Sequence, residues 1–241
     1  MVATRFPVDA VGGVNNAALQ STLQTFVGMD PTAVYSFFDD FQAFRGASNQ
    51  DWLVTNANSG TLVVQDENFG VLLVSNTVGD NRFVSAQWEG FKTGAVAEIF
   101  KIDTTKDLWF KTRFKLSDVI ESDALIGLLT TNVDPITAVV DGIYFLKPDD
   151  AATLQLKLTK NSTSTTVNVG TLVNNTYVTC GFHYTPLGTV TIYLNDVRVA
   201  SAAVTNLIDD EEITPTFTIQ NGAGVTARTM SLDYIFAAVG R

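Results

Sequence analysis

The stretch that most restricts the fold is VTIYLNDVRV, residues 190–199. Val190, Ile192 and Leu194 alternate with Thr191 and Tyr193, two turn-forming residues follow, and the alternation resumes at Val197. A two-residue hairpin loop asks for positive φ at both central positions, which Asn and Asp tolerate better than other side chains. With Asn195-Asp196 as that loop, Leu194 is expected opposite Val197 and Ile192 opposite Val199 on one face, with Tyr193 opposite Arg198 on the other. Both faces agree on one register. A hairpin with one apolar face needs a second layer to cover it, so the segment already implies a packed β structure.

The same two-residue period recurs along the chain. In DLWFKTRFKL (107–116), Leu108, Phe110, Thr112 and Phe114 alternate with Trp109, Lys111, Arg113 and Lys115, the pattern of a strand with one buried and one wet, cationic face. Leu154, Leu156 and Leu158 share a face, as do Val167 and Val169 beyond a Ser/Thr/Asn loop. Val178, Cys180, Phe182 and Tyr184 share another, which puts His183 on the opposite side. In the last segment, SLDYIFAAV, Leu232, Tyr234 and Phe236 are expected on one face. Strand candidates follow one another about every 8–15 residues, with turn residues between them and almost no helical period. The predicted fold is all-β: two antiparallel sheets of about a dozen strands packed as a sandwich or jelly roll.

Residues 1–35 read differently. RFPVDAVGGVNN has no usable period and is taken as an extended arm. Leu19, Leu23 and Phe26 then stand at helical spacing, with Asn15 or Asn16 as N-cap and Gly28 as the stop before Asp30-Pro31. The expected organisation is an arm with a short amphipathic helix over 1–35 and one sandwich over 36–241, since no linker composition interrupts the latter.

Few residues are equipped for chemistry. One histidine cannot build a multi-histidine metal site, and no G-x-S-x-G elbow supports a triad around His183, which reads as a solvated strand position. The single cysteine, Cys180, excludes an intramolecular disulfide and falls on an inward face, as a buried inert thiol. A glycosidase needs two carboxyl groups about 5–10 Å apart. No E-x-D-x-E array occurs, the acidic run IDDEEI (208–213) suits a solvated loop, and Asp39-Asp40 in FFDDF suits a strand cap or turn. Glu89 is a further acid to test for hydrolysis. The oxygen-rich turns DENFG, VGDNRF and NVDP could hold calcium, but no EF-hand pattern is present and no metal or cofactor is expected. Of the aromatic residues that could face a sugar, Trp109 lies on the wet face of its strand, whereas Trp52 and Trp88 are equally well explained as core. The sequons at Asn161 and Asn174 carry little weight without a secretory signal.

Net charge is −10 with a pI near 4.4, which disfavours nucleic acid and anionic lipid as partners. No apolar run has the length of a signal peptide or a membrane helix, so the chain reads as soluble, and its single cysteine suggests folding in a reducing compartment.

Taken in order, DLWFKTRFKLSD…ALIGLLTT, DGIYFLKPDD, TIYLNDVRVAS and SLDYIFAAV resemble the strands of concanavalin A-like (laminin-G-like) jelly rolls, over about 36–241. More narrowly, YSFFDDFQAF, FGVLLVSNTVGDNRF and RFKLSDVIESDALIGLLTTNVDPITAVVDGIYF look like tailed-bacteriophage virion proteins of that fold. The resemblance implies a non-enzymatic capsid decoration or cement protein, folded in the host cytoplasm and bound to the outside of the head. Its partners would be the major capsid protein and neighbouring copies of itself, as a trimer by analogy. Arm residues such as Phe6, Phe26 and Met29 would dock into the shell. The alternative on the same fold is a carbohydrate-binding module or tail adhesin, with an exposed aromatic groove for cell-surface glycan.

Overall fold

The protein is described by a computed structural model over residues 34–46, 51–56, 59–67, 70–89, 98–132, 134–223 and 226–241. Among these the chain forms sixteen strands and no helix. The first eight are β1 (Val34–Asp39), β2 (Trp52–Asn56), β3 (Thr61–Gln65), β4 (Val71–Ser75), β5 (Phe83–Trp88), β6 (Phe100–Lys101), β7 (Leu108–Leu116) and β8 (Ser122–Leu129). Then come β9 (Gly142–Lys147), β10 (Thr153–Lys160), β11 (Thr163–Thr171), β12 (Val178–Thr185), β13 (Thr189–Leu194), β14 (Val197–Ala203), β15 (Glu212–Asn221) and β16 (Thr229–Gly240). The expected arm up to residue 33 and its helix, including Phe6, Phe26 and Met29, lie outside the described residues, and Val34 and Tyr35 open β1.

Two eight-stranded antiparallel sheets result. The first has the order β14-β13-β12-β7-β16-β4-β3, with β1 on β16; the second runs β11-β10-β9-β8-β15-β5-β2, with β6 on β15. The two longest strands, β15 and β16, therefore lie inside the sheets, and most of their partners come from much earlier in the chain. The apolar faces of both sheets meet in one continuous core. One region holds Phe41, Trp52, Trp88 and Phe217, with edge-on contacts such as Trp52–Trp88 (centroids 5.5 Å, 83°). Another stacks Phe110 on Phe182 (5.2 Å, 13°) and sets Phe145 against both. Offset and edge-on geometries are those the aromatic quadrupole favours.

β7 alternates strictly, with Leu108, Phe110, Thr112, Phe114 and Leu116 buried and the residues between them partly exposed. The β13–β14 hairpin turns on Asn195 and Asp196, at φ 49° and 63°, as its sequence requires. Leu194 pairs with Val197 and Tyr193 with Arg198, but Ile192 faces Ala200 rather than Val199. A bulge between Ile192 and Tyr193 takes up one residue of β14, so the small Ala200 turns toward the core while Val199 stays 43% exposed. A second bulge corrects the expectation for β16. Leu232 pairs with Phe114 and is fully buried, whereas Tyr234 pairs with Arg113, the register shifting between them. Asp233 is the extra residue. The strand changes face there, so Tyr234 and Phe236 lie on the side opposite Leu232 while Ile235, Ala237 and Val239 continue the core.

Candidate functional site

On the outer face of the first sheet, pairing lines residues up across the strands. Trp109 sits between His183 and Ala238, Lys111 between Gly181 and Phe236, and Arg113 between Thr179 and Tyr234. Phe236 in turn faces Phe38 of β1. The cationic face read from β7 is thus real, and β16 and β1 bring aromatic rings alongside it.

A cleft of about 460 Å³ opens at one end of this face, lined by Phe38, Asp40, Glu67, Val71, Arg113, Tyr177, Asp233 and Tyr234. Its parts come from five places in the chain. Phe38 and Asp40 lie at the end of β1, Glu67 and Val71 flank the β3–β4 turn, Arg113 is on β7, Tyr177 precedes β12, and Asp233 and Tyr234 form the bulge of β16. The bulge places the Asp233 carboxylate on the Arg113 guanidinium. Arg113 also stacks on Tyr177, 4.0 Å from its centroid, and Lys115 reaches the same ring at 4.5 Å. Phe38, 59% exposed, tilts against Tyr234 at 6.2 Å. Gly70, just before β4, lies against the segment after β1. At φ +76°, a Cβ there would stand 2.3 Å from the Asp40 carbonyl oxygen.

Burial raises the pKa of the Tyr177 phenol, and the nearby charges of Glu67 and Asp233 add to this against the pull of Arg113. Burial likewise pushes the Tyr234 phenol up, reinforced by Asp196. Both rings therefore stay neutral donors across the physiological range. A second depression, of about 550 Å³, is lined by Gln42, Val64, Gln65, Asp66, Glu67 and Gly70 and adjoins the cleft at Glu67. Carboxylate acceptors, one guanidinium and the exposed Phe38 ring beside the half-buried Tyr177 and Tyr234 make a surface suited to a polyhydroxylated ligand.

The other sequence candidates fall elsewhere. His183 is on the outer face as expected, but it is not merely solvated. It pairs with Asp107 (Nε2–Oδ1 2.7 Å) and stacks on Trp109 at 5.2 Å and 12°. Cys180 is fully buried, and burial holds its thiol well above the usual range. Asp39 accepts from the Trp52 indole N–H at 2.9 Å and the Phe41 N–H at 2.8 Å, so it caps the end of β1 and anchors a core tryptophan. Glu89 is buried beside β2, its N–H donating to the Asp51 carbonyl at 2.8 Å. Asp209, Asp210, Glu211 and Glu212 are exposed, with Lys160 paired to Asp209 and Asp210. Of the turns considered for calcium, Asp134 spends its carboxylate on the Ile136 and Thr137 N–H groups and the Thr137 hydroxyl. Among the described residues no group of three or more His, Cys, Asp or Glu side chains is placed to hold a metal ion. Sequence reasoning singled out Asp40 and the face bearing Arg113, but not Phe38, Glu67, Tyr177, Asp233 or Tyr234 as one site. The alternation of β7 and the Asp39-Asp40 pair were the local signals pointing there.

No protein-family model matches the chain. No curated protein matches it either. Among solved structures it is similar to a Shewanella oneidensis MR-1 protein of unknown function (TM-score 0.59, 17% identity, 86% of this chain and 87% of that one). It is similar to the carbohydrate recognition domain of Emp47p (TM-score 0.57, 12% identity, 87% and 98%). It also resembles a GH16 of the Bacteroides ovatus mixed linkage glucan PUL in complex with a G4G4G3G product (TM-score 0.56, 14% identity, 83% and 98%). At such identities the likeness is one of fold. The chain is an antiparallel β-sandwich of the lectin-like, concanavalin A-like jelly-roll fold.

Proposed function

We propose that the protein is a non-catalytic carbohydrate-binding sandwich that holds a saccharide in the cleft between Phe38 and Tyr177. The observation carrying this reading is the convergence of Phe38, Tyr177 and Tyr234 with Asp40, Glu67, Asp233 and Arg113 in a cleft of about 460 Å³, within the range that small ligands occupy. The exposed Phe38 ring, with the half-buried Tyr177 and Tyr234, supplies apolar area for the C–H faces of a sugar, and the carboxylates and guanidinium can take its hydroxyls. The carbohydrate recognition domain and the glucan-complexed GH16 among the structural neighbours support the choice of ligand class. The reading as a binder rests on how the acids are engaged: Asp233 is committed to Arg113, and Asp40 accepts from the Gln42 amide at 2.9 Å. That favours fixed acceptors over an acid–nucleophile pair.

Isothermal titration against a panel of oligosaccharides tests this, with Tyr234→Ala and Arg113→Ala as cleft variants. Saccharide binding that each variant weakens by about tenfold or more is expected, a loss of about 1.4 kcal/mol each. Binding untouched by either variant, or no binding at all, overturns it. Release of reducing ends from any of the saccharides would overturn the non-catalytic part.

The virion reading is a proposal about where such a module works, and it rests on the sequence resemblance of the segments quoted above. A tail adhesin would join both readings. A head decoration protein, in contact with the major capsid protein and copies of itself, would use protein surfaces instead. The edge strand β14, with Val197 and Val199 exposed, is one surface able to pair with a neighbour. Mass spectrometry of purified virions, with copy number, separates head from tail; absence of the chain from virions removes this placement.

A further inference from the structure

Resting on the carbohydrate reading, we propose that the cleft selects saccharides bearing free amino groups and rejects uronates and other anionic glycans. The charge lining the site decides this. Three carboxylates, Asp40, Glu67 and Asp233, face one guanidinium, Arg113, and that guanidinium is already engaged by Asp233. The adjoining depression adds Asp66 beside the shared Glu67 and, among the described residues, is lined by no cation. Among the described residues, a ligand long enough to reach both depressions meets four carboxylates and one arginine. Lys115 reaches the Tyr177 ring but does not line either depression. The chain as a whole carries −10, and on the adjoining β7 face Lys111 is already paired with Asp196 at 2.8 Å.

An alkylammonium on a sugar ring is favoured here twice over. Glu67, exposed at the junction of the two depressions, offers it an ion pair. The Phe38 ring, 59% exposed and set against Tyr234, can attract a cation as well as C–H groups. A carboxylated sugar meets the reverse: it has to displace Asp233 from Arg113 to find a cation, and Asp40 and Glu67 repel it meanwhile.

The test is titration with three tetrasaccharides, of glucosamine, N-acetylglucosamine and galacturonic acid, at low and at high salt. The glucosamine oligomer should bind about tenfold tighter than the acetylated one at low salt, with most of that advantage lost at high salt, and the uronate should bind weakest. Asp40→Asn combined with Glu67→Gln should remove the preference while acetylated oligomer still binds. Glu67→Lys should reverse the order between amine and uronate. Asp209→Asn with Asp210→Asn, on a different rim, should leave the preference intact. Equal binding of amine and acetylated oligomers, or a preference that survives both Glu67 variants, overturns the charge inference and leaves the carbohydrate reading standing. Amine binding unchanged by Tyr234→Ala, or absence of binding by all three, overturns both.

Discussion

Replacing Asn221 with alanine probes how the two sheets are joined at one end of the sandwich. Asn221 ends β15 in the second sheet and is fully buried. Its amide donates to the Thr77 carbonyl at 2.7 Å and the Gly79 carbonyl at 2.9 Å. Its Oδ1 accepts from Asn76 Nδ2 and from the Arg228 N–H, both at 3.1 Å. Asn76 follows β4 and Arg228 precedes β16, both strands of the first sheet, while Thr77 and Gly79 belong to the connection from β4 to β5, so one side chain closes four bonds, two to first-sheet strand ends and two to the loop joining the layers. A neutral hydrogen bond contributes about 1 kcal/mol net, and a buried group left unpaired costs about 1–3 kcal/mol. Thr77 and Gly79 are half-buried and water can reach them in part, so the total for Asn221→Ala is about 3 kcal/mol. In urea unfolding followed by tryptophan fluorescence, the midpoint should drop with the slope unchanged. Asn221→Asp should cost more than alanine, because it turns a carboxylate toward two carbonyl oxygens without a donor between them. Asn221-Gly222 is also a sequence that deamidates readily when flexible, by attack of the Gly222 nitrogen on the Asn221 side chain. Here that N–H donates to the Glu121 carbonyl at 3.0 Å, and the amide is held at both ends. Mass spectrometry should find Asn221 intact in native protein and deamidating on unfolding. A loss below about 1 kcal/mol for alanine, or an aspartate variant as stable as wild type, would refute the four-bond account.

Other expectations concern the cleft and the core. Gly70→Ala puts a Cβ 2.3 Å from the Asp40 carbonyl at a positive φ, so it should destabilise by about 2 kcal/mol and weaken saccharide binding together. Wild-type stability and affinity in that variant would contradict the close approach. Burial outweighs the two bonds that Asp39 accepts and raises its carboxyl above the ordinary 3.8. Between 3.8 and the raised value the folded state holds the extra proton, so this residue's contribution to stability declines as pH rises across that window. Urea midpoints of Asp39→Asn measured along that range should close on, or overtake, those of wild type as pH rises; a constant offset would contradict it. Cys180, fully buried with its thiol pushed up by burial, should react with a thiol reagent only at the rate of global unfolding. Fast labelling in native buffer would show an opening through β12 that the packing does not predict.

How much of this was legible beforehand follows from the range of each interaction. Alternation is local, so the inward face of β7, the buried Cys180 and the outward His183 could be read from neighbours two residues apart. The Asn195-Asp196 turn was legible because it depends on the φ preferences of two residues alone. Bulges escaped, because an extra residue is accommodated by the partner strand: Ala200 replaced Val199 opposite Ile192, and Asp233 reversed the face of Tyr234. The pairing of His183 with Asp107 escaped for the same reason, as the two lie 76 residues apart.

The amino-acid sequence alone thus determined a two-layer antiparallel β protein, its principal buried faces and its most definite hairpin, since these depend on a period of two and on single-residue backbone preferences. The cleft was decided by tertiary structure. Phe38, Glu67, Arg113, Tyr177 and Tyr234 span almost two hundred residues of chain and meet because β1, β7 and β16 pair side by side while a one-residue bulge turns Asp233 and Tyr234 outward. Strand order and bulge position are properties of the whole packed sheet, and no window of the sequence contains them.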